Sequence, residues 1–137
     1  MYTMMQVCRE LDMTYQTLKF YCNEGVIPNV KRDHNNRRVF DEKDIKWIKD
    51  LTCLKKCGMS IQEMKKYLEL CLQGEATIDF PKKCLSRKQE ELRASIKELE
   101  DSISYIGWKQ NFYDEVLSGK RPYVSNLIRT AEKTKNN

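Results

Sequence analysis

The sequence predicts a mostly α-helical protein in which a small winged helix-turn-helix domain is followed by one long coiled-coil helix. Three observations indicate this fold class. Glycine and proline are scarce, with five and three residues among 137, whereas charged residues make up 33% of the chain, a composition typical of helical proteins. Residues 14–40 combine a helical pattern with a polar, basic loop that suits a β-wing. Residues 85–113 carry apolar side chains at heptad spacing.

Charge and targeting signals narrow the classes of function. The formal net charge is +5, with basic residues in excess in 1–70 and 118–137 and acidic residues in excess between them. This distribution predicts a polyanionic partner, and charge alone fits DNA, RNA or an anionic membrane. We expect no signal peptide, because polar residues interrupt the first ten positions, and no apolar run reaches membrane-spanning length. The six cysteines show no CxxC pair or disulfide-framework spacing, which predicts a reduced, cytoplasmic protein outside the membrane.

The first two helices form the predicted helix-turn-helix. Thr3 and Gln6 match a capping box that starts the first helix, and Asp12-Met13 forms the turn. Thr14 is the predicted N-cap of the second helix, which Gly25 ends and Pro28 prevents from restarting. One face of this helix is apolar, with Leu18, Tyr21 and Cys22; the other is polar, with Tyr15, Gln16, Lys19 and Asn23. The second helix is therefore the predicted recognition helix.

A small β-wing is predicted after the recognition helix. Two short β-prone pieces, residues 29–31 and 38–40, flank the turn signal at Asn35-Asn36. Four cations crowd this loop: Lys31, Arg32, Arg37 and Arg38. Because the loop has few apolar residues, its cations are expected to face solvent or a polyanion.

Two further helices complete the predicted first domain, residues 1–74. Asp41 caps a helix that runs to about Cys57 and ends at Gly58. Ser60 and Glu63 match a second capping box, which starts a helix that ends at Gly74. Residues 75–79 are a predicted connector, and Asp79 with Pro81 is expected to start the next helix in the cap and N1 positions.

The long helix, residues 80–118, is predicted to pair with a second chain. Its heptad seam includes Leu92, Ile96, Leu99, Ile103 and Ile106, flanked by Leu85 and Tyr113. Such a helix is about 60 Å long, too long to bury this face on its own domain. Positions a of the seam, Gln89, Ile96, Ile103 and Gln110, are symmetric about the point between Leu99 and Glu100. This symmetry predicts an antiparallel homodimer in which the glutamines of the two chains pair.

After the long helix, residues 119–137 form a basic C-terminal tail. Tyr123, Val124, Leu127 and Ile128 are expected to make one or two packed helical turns. The tail is too short for a separate ligand-binding domain, so the signal is expected to be small or to react directly with the protein.

The residues of the first domain resemble the MerR family of bacterial transcription regulators. The resemblance rests on Thr14, Thr17-Leu18-Lys19-Phe20-Tyr21, Gly25-Val26-Ile27-Pro28, Arg32, Asn35, Arg38, Phe40, Asp41 and Asp44-Ile45. Two positions depart from the pattern: Asn36 stands where the family has Gly, and Arg37 where it has Tyr. Asn tolerates a left-handed backbone, so we expect the wing turn to persist and Arg37 to favour phosphate contact.

This resemblance implies a homodimer that binds double-stranded promoter DNA, distorts the promoter spacer and acts with RNA polymerase. Thr14 starts the helix that enters the DNA, and Tyr15, Gln16 and Lys19 are candidate base contacts. Phe20 and the wing cations Lys31, Arg32, Arg37 and Arg38 are candidate backbone contacts. No enzymatic activity and no cofactor are expected, because the single histidine, His34, has no catalytic partner in the pattern.

Residues 51–61 resemble the thiol-dependent, aldehyde- and electrophile-responsive (AdhR/NmlR-like) branch of the family. The resemblance implies that Cys53 is the sensor thiol. The neighbouring cations Lys49 (i−4) and Lys56 (i+3) favour the reactive thiolate, whereas Cys57 lies at the helix end whose dipole disfavours an anion.

Three alternatives remain open from the sequence. Cys84 is a second candidate for the reactive thiol, and its position suits a metal-responsive regulator; no cysteine follows it to complete a site, so no metal is predicted. A drug-type regulator would use Trp108, Phe112 and Tyr113 around the coiled coil. A coiled-coil protein-interaction module would use the winged helix to bind a protein.

Overall fold

The computed structural model describes residues 1–128. It forms two compact units, Met1–Leu92 and the part of the chain from Arg93 onward. Along the chain, the elements are β1 (Tyr2–Thr3), α1 (Met4–Leu11), α2 (Tyr15–Glu24), β2 (Lys31–Arg32), β3 (Arg38–Phe40), α3 (Glu42–Lys56) and α4 (Ile61–Leu72); a 3-10 turn (Glu75–Thr77) and α5 (Asp79–Leu117) follow. The predicted fold class, a winged helix-turn-helix followed by a long helix, is confirmed. No helix within residues 1–128 is long and apolar enough to cross a membrane.

Side-chain caps define the starts of the first four helices, as the sequence predicts. Thr3 and Gln6 form a capping box for α1, and Ser60 and Glu63 form one for α4. Asp41 caps α3 together with the side chain of Asp44. Each cap satisfies backbone N–H groups that the first helical turn leaves without partners. Gly25, with a φ of 77°, ends α2 in the left-handed conformation that favours glycine.

The core of the first unit lies between the helix-turn-helix, the wing and α3. Its fully buried side chains come from six segments of the chain: Val7, Leu18, Val26, Phe40, Ile48, Leu51 and Met64. The Trp47 indole N–H donates to the Val26 carbonyl over 2.7 Å, and its ring stacks on Tyr67 of α4. These contacts hold the recognition helix against α3 and α4.

The sheet differs from the sequence prediction in two respects. It has three antiparallel strands in the order β1-β3-β2, and β1, only two residues long, was not predicted. Its Tyr2–Thr3 pairs with Phe40 and Val39, a long-range contact that local patterns do not carry. β2 also begins at Lys31 rather than at residue 29, because Asn29 adopts a φ of 62° that is incompatible with a strand.

The start of α5 and the tail also depart from prediction. Pro81 is the third residue of α5, not the first, and it is tolerated there because first-turn N–H groups have no intrahelical acceptor. In the tail, residues 118–128 form turns and irregular structure instead of a packed helical segment. Tyr123, Val124, Leu127 and Ile128 are exposed, so no residue of the described part of the chain covers them. Residues 129–137 lie outside the described part of the tail.

Candidate nucleic-acid interface

The recognition helix presents the polar face that the sequence predicts. Thr14 caps it through an N–H of Thr17 that donates to the Thr14 hydroxyl over 3.1 Å. Leu18 and Tyr21 are buried beneath the helix. The opposite face is exposed and carries Tyr15, Gln16, Lys19 and Phe20. A rigid helix therefore offers hydroxyl, amide and ammonium groups together with one aromatic ring to a partner.

The wing is a two-stranded hairpin built on Asp33. Asp33 Oδ1 accepts hydrogen bonds from the N–H groups of Asn35 and Arg37, over 2.9 and 3.0 Å. Asn36 has a φ of 61°, which confirms that Asn adopts the left-handed turn position here. The Arg32 guanidinium donates to the Asn36 carbonyl over 2.9 Å. The turn thus holds its shape through hydrogen bonds among its own residues.

Neighbouring residues orient two of the three wing arginines, Arg32 and Arg38. Arg38 donates to Asn23 Oδ1 of α2 over 2.8 Å, so the wing is tied to the recognition helix. Arg32 is engaged with its own turn. The structure records no hydrogen bond or ion pair for the Arg37 side chain within residues 1–128. Asn23 and Asp33 are therefore supporting residues; the Asx-turn pattern two residues before Asn35 could have identified Asp33 from sequence.

Lys31 occupies a different environment from the arginines. Its ammonium donates to Asp41 over 2.9 Å, to Asp44 over 3.3 Å and to the Asn29 carbonyl over 3.3 Å. The pKa of Lys31 is raised, chiefly by its hydrogen bond to Asp41. An ammonium has three N–H donors, and each donor of Lys31 has an acceptor in the protein. Lys31 therefore joins the wing to the start of α3.

The face formed by these elements contains a cleft of about 550 Å³. Thr3, Met4 and Met5 line one side, and Tyr15 with Arg32, Asp33, Asn36, Arg37 and Arg38 line the rest. Three arginines thus line one cleft that also includes Tyr15, at the start of the recognition helix. Guanidinium groups bind phosphate through paired, charge-assisted hydrogen bonds. The arrangement therefore suits an extended polyanion that crosses from the helix to the wing.

None of the six cysteines forms a disulfide bond, and their exposure to solvent differs. Cys53 on α3 is exposed, Cys8 is buried and the other four are half-buried. Burial raises the pKa of the Cys8, Cys22 and Cys71 thiols; nearby Arg38 and Arg32 partly oppose this at Cys22, and the Tyr67 hydroxyl does so at Cys71. The predicted sensor position is thus the thiol with the freest access to solvent. Among residues 1–128, no group of three or more Cys, His, Asp or Glu side chains is placed to hold a metal ion.

Sequence comparison identifies the family. The model for MerR HTH family regulatory proteins matches residues 2–71, just over half of the chain. An HTH-type transcriptional regulator of Haemophilus influenzae is 32% identical over 114 residues, which cover 83% of this chain and 84% of that protein. The HTH-type transcriptional regulator AdhR of Bacillus subtilis is 36% identical over 87 residues, which cover 64% of this chain and 62% of that protein.

Comparison with solved structures identifies the same family. The crystal structure of HiNmlR, a MerR family regulator lacking the sensor domain and bound to promoter DNA, matches with a TM-score of 0.68 and 31% identity. The match covers 85% of this chain and 93% of that chain. A MerR family structure from Listeria monocytogenes matches with a TM-score of 0.74 over 88% and 91% of the two chains; at 23% identity it shows the shared fold alone. The chain belongs to the MerR family of DNA-binding, helix-turn-helix transcription regulators.

Proposed function

We propose that this protein binds promoter DNA as a homodimer, with one recognition helix in each of two successive major grooves. The observation that carries the proposal is the joint face of α2 and the wing, where three arginines surround one cleft beside the exposed side of the helix. HiNmlR, which has the same fold and 31% sequence identity to this chain, is bound to promoter DNA in its crystal structure. A two-fold dimer is matched to a pseudo-palindromic operator because each half-site meets one helix.

Roles within the interface follow from how each side chain is held. Lys19 and Gln16, exposed on the helix, are proposed to reach base edges, with Tyr15 beside them. Arg37, Arg38, Arg32 and Phe20 are proposed to contact the DNA backbone, and Thr14 sets the position of the helix N-terminus. Lys31 is proposed to act indirectly, because its three N–H groups already have acceptors in the protein.

Fluorescence anisotropy with a labelled promoter duplex and a random duplex tests these roles. Affinity should fall steeply as salt rises, since phosphate contacts release counterions. Lys19→Ala should weaken binding to the promoter duplex by about 1–3 kcal/mol and binding to the random duplex much less. Arg38→Ala should weaken binding to both duplexes about equally. Lys97→Ala, which removes an exposed cation from α5, is the matched control and should change neither. Equal losses on both duplexes for Lys19→Ala would reject its role as a base reader.

We further propose that the dimer activates transcription with RNA polymerase by distorting the promoter spacer in response to a reactive aldehyde or another electrophile. The family resemblance supports the distortion, whose cost depends on the deformability of the spacer DNA. The exposure of Cys53 and the flanking Lys49 and Lys56 support a direct reaction at that thiol. The 36% sequence identity to the regulator AdhR over 87 residues supports the proposed place of this chain in the AdhR/NmlR-like branch.

Transcription in vitro with RNA polymerase and methylglyoxal as the electrophile tests the sensor. Cys53→Ser should keep the affinity for promoter DNA and lose the response, while Cys84→Ser should keep both. Mass spectrometry of the wild-type protein after brief exposure should find the first adduct on Cys53. A response that survives Cys53→Ser and disappears with Cys84→Ser would move the sensor to α5.

A further inference from the structure

A second cleft lies away from the DNA-binding face, within the unit Met1–Leu92, where α4 packs on the first turns of α5. It encloses about 280 Å³. Its apolar lining consists of Leu70 from α4 with Phe80 and Cys84 from α5. Leu70 and Cys84 are half-buried, and the ring of Phe80 is half-exposed at the edge. The cleft therefore has a wall suited to a flat apolar group.

Cations surround this apolar wall. Lys66, Lys83 and Arg87 line the cleft and are exposed, and no hydrogen bond or ion pair holds their side chains within residues 1–128. A fourth cation, Lys88, has a side chain only 12% exposed and donates to Glu63 over 2.9 Å and to Glu91 over 2.7 Å. Lys88 thus bonds to both carboxylates of the lining, Glu63 and Glu91, and the four cations of the cleft outnumber these carboxylates by two.

The excess of positive charge in this cleft favours an anionic partner. Cations that share one cleft repel one another, and the repulsion is stronger beside an apolar wall, which lowers the local dielectric constant. A bound anion would relieve the repulsion, and an apolar body on that anion would bury the surfaces of Leu70 and Phe80. A guanidinium beside an ammonium matches the two oxygens of a carboxylate.

We propose that the cleft between α4 and α5 is a binding site for a small aromatic carboxylate. The ring lies against Leu70, Phe80 and Cys84, and the carboxylate lies between Arg87 and Lys83. This site is separate from the DNA-binding face and from Cys53. It contacts Lys88, whose bond to Glu63 joins α5 to the capped first turn of α4.

The heptad positions of the lining residues place them away from the proposed dimer seam. If Leu85 and Leu92 occupy position d, then Cys84 and Glu91 fall at c and Arg87 falls at f. Positions c and f lie on the side of a coiled-coil helix opposite the a/d seam. The seam and the lining residues therefore lie on different sides of α5.

Naphthoate, which is fluorescent, is the probe, and its anisotropy is measured with the full-length protein. Lys83→Gln and Arg87→Gln should each weaken binding by about three- to fivefold, the loss expected for one partly exposed ion pair. The control is Lys97→Gln, which makes the same change of charge on α5 at an exposed position outside the cleft; it should leave the affinity for naphthoate unchanged. Naphthalenemethanol and acetate, which lack the charge and the ring respectively, should bind much more weakly than naphthoate.

Three outcomes would overturn the proposal. The first is no saturable binding of naphthoate, and the second is an equal loss for Lys97→Gln. The third is a loss of affinity for duplex DNA in Lys83→Gln or Arg87→Gln without naphthoate, which would place these cations on the DNA-binding surface. The affinity of the wild-type protein for DNA is measured separately, so failure of this site and failure of the proposed regulator function are distinguishable.

Discussion

At the scale of single residues, the contact between Lys31 and Asp41 shows how one basic side chain differs from its neighbours. The sequence places four similar cations in the wing, yet Lys31 is bound by two carboxylates at the base of α3. The pKa of Asp41 is lowered from 3.8 to about 2, first by the hydrogen bond from the Asp44 backbone N–H and next by the Lys31 ammonium. The ionised form of Asp41 is therefore favoured by folding.

The pH dependence of stability tests this contact. A carboxyl group whose pKa is lower in the folded state stabilises the protein above its unfolded pKa, and this contribution is lost as pH falls through the folded pKa. Asp41→Asn removes the charge but keeps a good N-cap residue. We expect the variant to melt at a lower temperature than wild type at pH 7, and the difference to shrink between about pH 4 and pH 2.

The control for Asp41 is a double-variant cycle with Lys31→Gln. In that background the effect of Asp41→Asn should be smaller, because one of the two main partners of the carboxylate is absent. Circular dichroism melts at equal protein concentration measure all four proteins. A difference between wild type and Asp41→Asn that is the same at pH 7 and pH 2 would contradict the assignment.

At the scale of elements, the recognition helix depends on its cap more than on its intrinsic propensity. It has only ten residues, too few to be stable alone in water. Its first turn has no acidic residue, so the Thr14 hydroxyl is the side chain that satisfies a first-turn N–H there. Packing of Leu18 and Tyr21 on the core supplies the remaining stability.

Removing the cap should destabilise the protein without changing the exposed face. Thr14→Ala should lower the free energy of unfolding by about 1 kcal/mol, the usual effect of losing an N-cap hydroxyl. Thr14→Ser should restore most of it, because serine supplies the same acceptor. Urea unfolding followed by circular dichroism measures both variants, and equal stabilities for the alanine and serine variants would show that the cap hydrogen bond contributes little.

At the scale of the whole molecule, the seam of α5 is an apolar surface that residues 1–128 leave exposed. Leu99 is 63% exposed and Ile103 is 69% exposed. Leu92, Ile96 and Ile106 are exposed as well. An apolar stripe of this length on an isolated helix is unfavourable in water, which supports the proposal that a second copy of the chain covers it.

Crosslinking tests the antiparallel arrangement. In a chain whose six natural cysteines are replaced by serine or alanine, Leu99→Cys should form an intermolecular disulfide readily, because residue 99 lies beside its own symmetry mate. Gln89→Cys alone should not, because Gln89 is expected to face Gln110 of the partner. Non-reducing gel electrophoresis measures both, and the Gln89→Cys and Gln110→Cys proteins mixed together supply a positive control. Ready crosslinking of Gln89→Cys by itself would indicate a parallel dimer.

Local signals predicted most of the fold. The capping pairs at Thr3, Asp41 and Ser60 and the glycine at position 25 mark helix ends because their hydrogen bonds and backbone angles are decided within a few residues. β1 was not predicted, since a two-residue strand exists only where Phe40 and Val39 come alongside it. The prediction of packed helical turns in the tail was wrong for residues 118–128. A short apolar pattern forms a stable helix only where another surface packs against it.

The sequence by itself determined the helices, the recognition face, the wing cations and the seam, because these depend on periodicity and on short-range hydrogen bonds. Only the tertiary structure decided which cation binds which partner. Lys31 and Asp44 are thirteen residues apart, and Lys88 and Glu63 are twenty-five apart. Such pairs form only when packed elements bring them together. For this reason neither the carboxylate partners of Lys31 nor the cleft between α4 and α5 could be predicted from the order of residues.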